Sequence, residues 1–501
     1  MEDGSALRSN SRTGDPMKYD RWLVAILAAA FVFYVPFISR QFSGDDWLWL
    51  AYAKKALTSP IIFLERPMYG YFRPLNMVLV SLQRLVLGNH ATLFSGVSIL
   101  LHCANVWLLW KVLKRLKVPR VTQVAAAAFF AFYFLNASAI EWISVAHDLW
   151  VTGLCLLVVL LSLDAAERPS WSLFTQIWLL SMAAALIKES GFVAAGLFWA
   201  VLLLKRKSPL GRPFRLFTIL SGLSCVIFLV VYSATRTVDD PKVALNIHTL
   251  GNLWYFLVYL ITPFAKRVIE SVPEQLVGIL RVIRITTTIL VPLCAVYLWR
   301  KGGVVCRLFL LWSTAFVATI AIMNWGVGPF DLYSERTASR FMYSPVVGVS
   351  VCIAWLVQKA AERFRMLRWK YVGVSVAVLF ALLNWLVVWQ ISEVYLENQA
   401  IANSAVESFE SSASLLAACD SVIVCSDDLV NCPSLIASSW HLEAMLYVCI
   451  DRDLTVTVTD RKPQCEATSD VRPNVAMFKW DNATRSLTLC GGRDAPANEP
   501  T

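Results

Sequence analysis

The residues best suited to chemistry in this chain are two adjacent carboxylates, Asp45 and Asp46, in the run Gly44-Asp45-Asp46-Trp47. They follow directly on a long apolar segment, where taking two acids out of water is costly, and neither gains anything by packing beside Trp47 and Trp49. A carboxylate so placed can take a proton from a hydroxyl or hold a cation. Further ionisable groups recur at the ends of apolar runs: Glu65, Arg66 and Arg73; Glu141, His147 and Asp148; Lys188 and Glu189; and Asp331, Glu335, Arg336 and Arg340. Arg and Lys set among carboxylates and a histidine can hold an anionic headgroup while keeping a general base at hand.

Each group also has a plainer reading. Lys188 and Glu189 could neutralise one another in a tight hairpin, and Arg73, which precedes Pro74, could cap a helix or touch lipid phosphate. His147 taken alone could be structural, and Glu141 and Asp148 could be solvated helix ends.

The elements that must position these residues are membrane helices. The chain has 501 residues, is 57% hydrophobic with 20 Trp, and is only 16% charged, against about 25% in a soluble globule. A net charge of +10 would suggest nucleic acid in a soluble protein; here most Lys and Arg are topology signals, and no nucleic-acid partner is expected. Apolar runs long enough for a core roughly 30 Å thick lie near residues 22–39, 92–110, 121–136, 146–163, 172–187, 191–204, 215–233, 284–300, 308–324, 341–357 and 371–389. The connections 111–120, 205–215, 300–307 and 358–370 are basic and alternate onto one face, which the positive-inside rule makes cytoplasmic. The N-terminus is then inside, the C-terminus outside, and every cluster named above sits at the outer interface. Residues 1–21 form a cytoplasmic tail without the apolar core of a signal peptide. Two outer loops, 40–91 and 234–283, hold interfacial helices near 76–87 and 253–265.

Residues 391–501 form a soluble tail with six cysteines: Cys419, Cys425, Cys432, Cys449, Cys465 and Cys490. An even number outside the cytoplasm suggests up to three disulfides; a zinc site fits worse, because no pair has a two-residue spacing and only His441 could assist. Strand-like runs at 421–425 and 454–459, with a helix over 439–447 between them, predict a small α/β domain. The expected fold is a polytopic α-helical membrane protein of about eleven spans, residues 22–390, followed by this C-terminal extracytoplasmic α/β domain.

Five segments in order carry a family resemblance: Phe72-Arg73-Pro74-Leu75 after the acidic pair; Leu101-His102-Cys103-Ala104-Asn105-Val106; Ala139-Ile140-Glu141-Trp142-Ile143-Ser144 leading to His147-Asp148; Ala185-Leu186-Ile187-Lys188-Glu189-Ser190; and Ser339-Arg340-Phe341-Met342-Tyr343-Ser344-Pro345. Over roughly residues 20–390 they resemble the GT-C membrane glycosyltransferases, in the branch near the tetratricopeptide-bearing O-mannosyltransferases and their bacterial relatives. The resemblance implies a polyprenyl-phosphate sugar donor, an inverting transfer to a hydroxyl on a protein, glycan or lipid outside the cytoplasm, and a catalytic acid in the first outer loop. That acid is Asp45 or Asp46, with Asp46 preferred as base. Arg73, Lys188 and Arg340 are expected to hold the donor phosphate, with Glu141, His147, Asp148, Glu189 and Tyr343 on the acceptor side or in support. The resemblance fixes no cofactor: some GT-C enzymes use a divalent cation and others do not, and the acids here permit either; a bacterial inner membrane is the expected location. The chain departs from the branch in carrying His147 where relatives place Arg before the Asp, and in lacking the repeats after the spans.

Two other classes compete. A transporter or flippase of a lipid-linked saccharide would also use cations at one face, but should show midplane polar groups or paired halves. A scaffold presenting the tail would leave the acid pair unexplained.

Overall fold

The computed structural model describes residues 16–39, 41–64, 72–205, 212–234, 247–261, 274–322, 341–363, 369–426, 436, 438–459, 475–482 and 484–491. In chain order the helices are α1 (Pro16–Tyr34), α2 (Asp45–Thr58), α3 (Pro74–Leu87), α4 (Ala91–Arg115), α5 (Arg120–Phe132), α6 (Ala137–Glu141), α7 (Ala146–Glu167), α8 (Trp171–Ile187), α9 (Val193–Lys205), α10 (Arg212–Ala234), α11 (Ile247–Tyr259), α12 (Glu274–Lys301), α13 (Gly303–Ala321), α14 (Tyr343–Arg363), α15 (Trp369–Ser411), α16 (Ala413–Leu416) and α17 (Ser439–Ile450). Each of the eleven apolar segments expected to span overlies one of them. Among the described residues four helices, Ala91–Arg115, Ile143–Glu167, Gly303–Ala321 and Tyr343–Arg363, are long and apolar enough to cross a membrane unaided; the bent pair Arg120–Phe132 and Phe134–Glu141, 49° apart, makes a fifth if it is one span. The chain is thus a polytopic α-helical membrane protein with a strand-containing C-terminal region.

The break in that bent pair is chemically sealed. Backbone groups released from a helix inside a bilayer must find partners within the protein. The Asn136 side chain donates to the Phe130 carbonyl, and the Asn384 side chain of α15 accepts from the Phe134 N–H at 2.8 Å. The kink directs α6 and the following 3-10 turn, Ile143–Val145, toward α2.

A buried polar network ties the bundle together. His102 and Asn105 stand one turn apart on α4, so they share a face. The Nε2 of His102 meets the Ala131 carbonyl at 3.1 Å, which requires the proton on that nitrogen. Nδ1 is then an acceptor for the Tyr343 hydroxyl at 2.8 Å, and the same hydroxyl accepts from the Asn105 amide at 3.1 Å.

In the C-terminal region β1 (Ser421–Ser426), β2 (Thr455–Thr459), β3 (Val475–Asp481) and β4 (Ser486–Gly491) form one sheet in the order β2-β1-β3-β4. β1 runs parallel to both β2 and β3, and β4 pairs antiparallel with β3. The helix α17 joins β1 to β2, as a parallel pair requires. Both expected strands and the expected helix are present; β3 and β4 were not read from the sequence. The expectation of up to three disulfides is corrected: Cys419, Cys449 and Cys490 are free thiols, and Cys425 is disulfide-bonded. Cys419, in the connection between α16 and β1, donates to the Leu415 carbonyl at 3.3 Å, and Cys490 of β4 to that of Met477 at 3.4 Å.

The sheet region is not a separate body hung from the bundle. Phe42, Trp47 and Leu50 around α2, with Phe94 and Ile143, belong to one apolar cluster with Leu442, Met445 and Phe478 of the sheet region. The helix α15 runs unbroken for 43 residues, so it crosses the expected boundary at residue 390. Along its length Ser392 meets Glu141, Asn403 accepts from Gln41 at 2.9 Å, and Ser404 and Ser408 hold the backbone of Leu487 in β4.

Candidate active site

The acid pair occupies the first turn of α2 because Gly44 permits the turn that starts it. Gly44 sits at φ +52°, a conformation that side chains disfavour, with open space where a Cβ would stand. Asp46 points inward and is 3% exposed. One carboxylate oxygen, Oδ2, reaches back to accept from the Ser43 N–H at 3.1 Å, as the acid of a capping box does. The other, Oδ1, accepts from the Ser144 N–H at 2.7 Å and from the Ser144 hydroxyl. A carboxylate offers about four lone-pair positions. The described residues use three, one on Oδ2 and two on Oδ1, which leaves one on Oδ2. Burial, reinforced by the neighbouring charge of Asp45 and opposed by the hydrogen bonds from Ser144 and Ser43, pushes the Asp46 carboxyl up to about 7. Asp45 is turned the other way and lies 3.2 Å from Nε2 of His441 on α17.

Asp46 and Ser144 line a cleft with His147, Asn76, Gln83 and Trp150. Its walls come from α2, α3, the 3-10 turn and the start of α7. His147 and Asp148 fall in the first turn of α7, 3.7 Å apart from Nε2 to Oδ2.

Beside the cleft lie two ion pairs. Pro74 starts α3 at its first helical position, which needs no N–H, and leaves Arg73 as the preceding cap residue. The Arg73 guanidinium grips Glu189 through Nη2 at 2.8 Å and Nε at 3.1 Å. Lys188 ends α8, where the helix dipole favours a cation, and its ammonium donates to both oxygens of Asp148 at 2.7 and 2.6 Å. The Phe341 ring covers the same ammonium at 4.9 Å. Lys188 and Glu189 therefore pair across the site, with Asp148 and Arg73, and do not form the mutual hairpin pair that their adjacency suggests. Adjacent side chains on an extended residue point apart, and Gly191 folds the turn so tightly on Ala184 that a Cβ would strike its backbone.

The structure thus gathers Asp46, His147, Asp148, Lys188, Glu189 and Arg73 into one neighbourhood, with Asp45 on its rim. Glu141 faces elsewhere: Oε1 accepts from the Ser392 hydroxyl at 2.6 Å and Oε2 is buried without a hydrogen-bond partner. Tyr343 lies in the bundle network with His102 and Asn105 and is not on the cleft. Glu65, Arg66, Asp331, Glu335, Arg336 and Arg340 lie outside the described residues. Among those described, no group of three or more His, Cys, Asp or Glu side chains converges as a metal site. Ser144 and His441 were not anticipated as site residues. Ser144 closes one of the five segments quoted above; for His441 the sequence carries no signal, since its partner is 396 positions away.

No protein-family profile matches the chain, and no curated protein matches it. Among solved structures it is similar to the apo state of ArnT from Cupriavidus metallidurans, at 15% identity and a TM-score of 0.48, covering 93% of this chain and 94% of that one. The same protein bound to undecaprenyl phosphate gives 13% identity, a TM-score of 0.46, and coverage of 92% and 94%. The apo oligosaccharyltransferase of Archaeoglobus fulgidus gives 11% identity and a TM-score of 0.49 over 92% of this chain and 67% of that chain. At these identities no residue role carries across.

Proposed function

We propose that the protein is a membrane glycosyltransferase of GT-C type that moves a sugar from a polyprenyl-phosphate donor to a hydroxyl acceptor, at the membrane face that carries Asp46. The observation that supports this reading is the state of Asp46: a buried carboxylate, anchored by three hydrogen bonds, with one lone pair left and its carboxyl pushed to about 7. That is the condition of a general base poised near neutrality.

In the reaction, Oδ2 of Asp46 takes the proton of the acceptor hydroxyl as its oxygen attacks the anomeric carbon. The carbon–oxygen bond to phosphate breaks, and its electron pair leaves on the polyprenyl phosphate. Cations must meet that charge. An ammonium has three N–H donors, of which Asp148 takes two in Lys188. Arg73, and Arg340 beyond the described residues, are the other candidates. Ion pairing with Glu189 and Asp148 fixes where Arg73 and Lys188 point, so their geometry is set before the donor arrives. His147, which lines the same cleft, is assigned to the acceptor side, and Glu141 and Tyr343 support the helices around it. The C-terminal region and this face are read as extracytoplasmic, in a bacterial inner membrane.

The test uses the full chain in proteoliposomes with radiolabelled polyprenyl-phosphate mannose, glucose and arabinose, and cell-envelope extract as acceptor. Protein-dependent release of polyprenyl phosphate is expected, and Asp46→Asn should lower it by about 10²- to 10⁴-fold. Release unchanged in Asp46→Asn sinks the assignment; protein-dependent transbilayer movement of the donor without release supports the transporter.

A further inference from the structure

The helix α17 of the C-terminal region lies alongside α2 over its whole length. At one end His441, in the first turn of α17, meets Asp45, in the first turn of α2. At the other, Lys54 donates to the Tyr447 carbonyl at 2.7 Å and pairs with Asp451, and Lys55 pairs with Asp453 at 3.1 Å. Both lysines lie over the Tyr447 ring, at 4.5 and 4.7 Å. Nine positions lead from Asp45 to Lys54, and ten from His441 to its partner Asp451, about 14–15 Å of helix in each case. The two helices are therefore parallel and in step, and their N-terminal ends, which favour negative charge, converge on Asp45.

Asp45 and Asp46 are adjacent in sequence but are held by different parts of the chain. Asp46 is bound by Ser43 and Ser144 within the helical region; Asp45 is bound by His441 from the sheet region. Nδ1 of His441 is buried without a hydrogen-bond partner. The ring thus carries its proton on Nε2, the tautomer that donates to the carboxylate. Without that donor, the partly exposed Asp45 carboxylate would lose the contact that draws it toward α17 and away from the cleft that Asp46 lines.

We propose that His441 is a positioning residue: from the C-terminal region it ties Asp45 down, so that Asp46 alone takes the proton. This rests on the reading of Asp46 as base. It gives the C-terminal region a defined part in the reaction, the completion of the acid pair.

The experiment is a double-mutant cycle on the full chain in proteoliposomes, with His441→Ala, Asp45→Asn and the pair, plus His441→Gln and Asp46→Asn. It is read by donor turnover and by hydrogen exchange in the first turn of α2. His441→Ala should lower kcat about tenfold with KM within about twofold, the sign of an interaction spent on the transition state. Glutamine, whose amide can donate the same bond, should restore most of it. In the Asp45→Asn background His441→Ala should add little to either readout, because His441 acts only through Asp45. Additive effects, or wild-type turnover and exchange in His441→Ala, overturn the proposal. If Asp46→Asn remains active, the base assignment fails instead, and the exchange cycle still decides whether His441 holds Asp45.

Discussion

At the scale of the residue, two acids with one sequence context have two environments. Among the described residues Ser144 and Ser43 supply the hydrogen bonds to the Asp46 carboxylate, and burial outweighs them, so the group is pushed up to about 7. In the proposed reaction Asp46 acts in its ionised form, so kcat should rise with pH through about 7 and level above it; a rate flat from roughly pH 6 to 8 contradicts this. Stability should run the other way. In the unfolded chain the carboxyl ionises near its ordinary 3.8, and between that value and about 7 the folded form holds the extra proton. This group's stabilising contribution is complete below that window and is lost as pH rises through it, which thermal unfolding of wild type against Asp46→Asn can follow. Tyr343 makes a contrasting case. Tyr343→Phe strips His102 of its donor and Asn105 of one of its two acceptors, leaving the Leu149 carbonyl, in the bundle core, at a cost of about 1–3 kcal/mol. Melting should fall while turnover per folded molecule is kept; a loss of turnover without a loss of stability would return Tyr343 to the site.

At the scale of the element, the site is made where helices start and stop. Asp45 and Asp46 begin α2, His147 and Asp148 begin α7, Arg73 precedes α3, and Lys188 ends α8. Acids at N-termini and a lysine at a C-terminus follow the helix dipoles, which is why the clusters were visible as charges at the ends of apolar runs. The pairing was not visible. Sequence adjacency suggested Lys188 with Glu189, but the extended backbone at Lys188 sends the two side chains to different helices. Lys188 and Asp148 are both buried, so Lys188→Ala should take the ammonium from a buried carboxylate and cost about 3–5 kcal/mol. Adding Asp148→Ala should restore part of the melting temperature. Equal destabilisation by the single and the double variant would deny the pair.

At the scale of the whole molecule, the helical region was legible because apolar runs of span length have few alternatives. The β1-α17-β2 unit was legible from its β-branched runs. The strand β3, Val475–Asp481, holds a single β-branched residue, and β4 is a short run that acquires meaning only by pairing with it. The contacts between regions were hidden for the same reason: they join residues hundreds of positions apart. Because α2 shares an apolar core with the sheet region, the two should unfold in one calorimetric transition. A separate early transition, removed by truncation after α15, would show them to be independent.

The unbroken course of α15 has one more consequence. Its 43 residues make a rod about 65 Å long, roughly twice the thickness of a bilayer's hydrocarbon. Ser392, the residue that meets Glu141 at the level of the kinked span, falls about 35 Å from its start. The remaining turns, which carry Asn403, Ser404 and Ser408, stand clear and are fastened to Gln41 and β4. The protein carries its own gauge of height: α15 sets the distance between the kinked span and the sheet, and on the proposed reaction that distance sets the level at which an acceptor presents its hydroxyl.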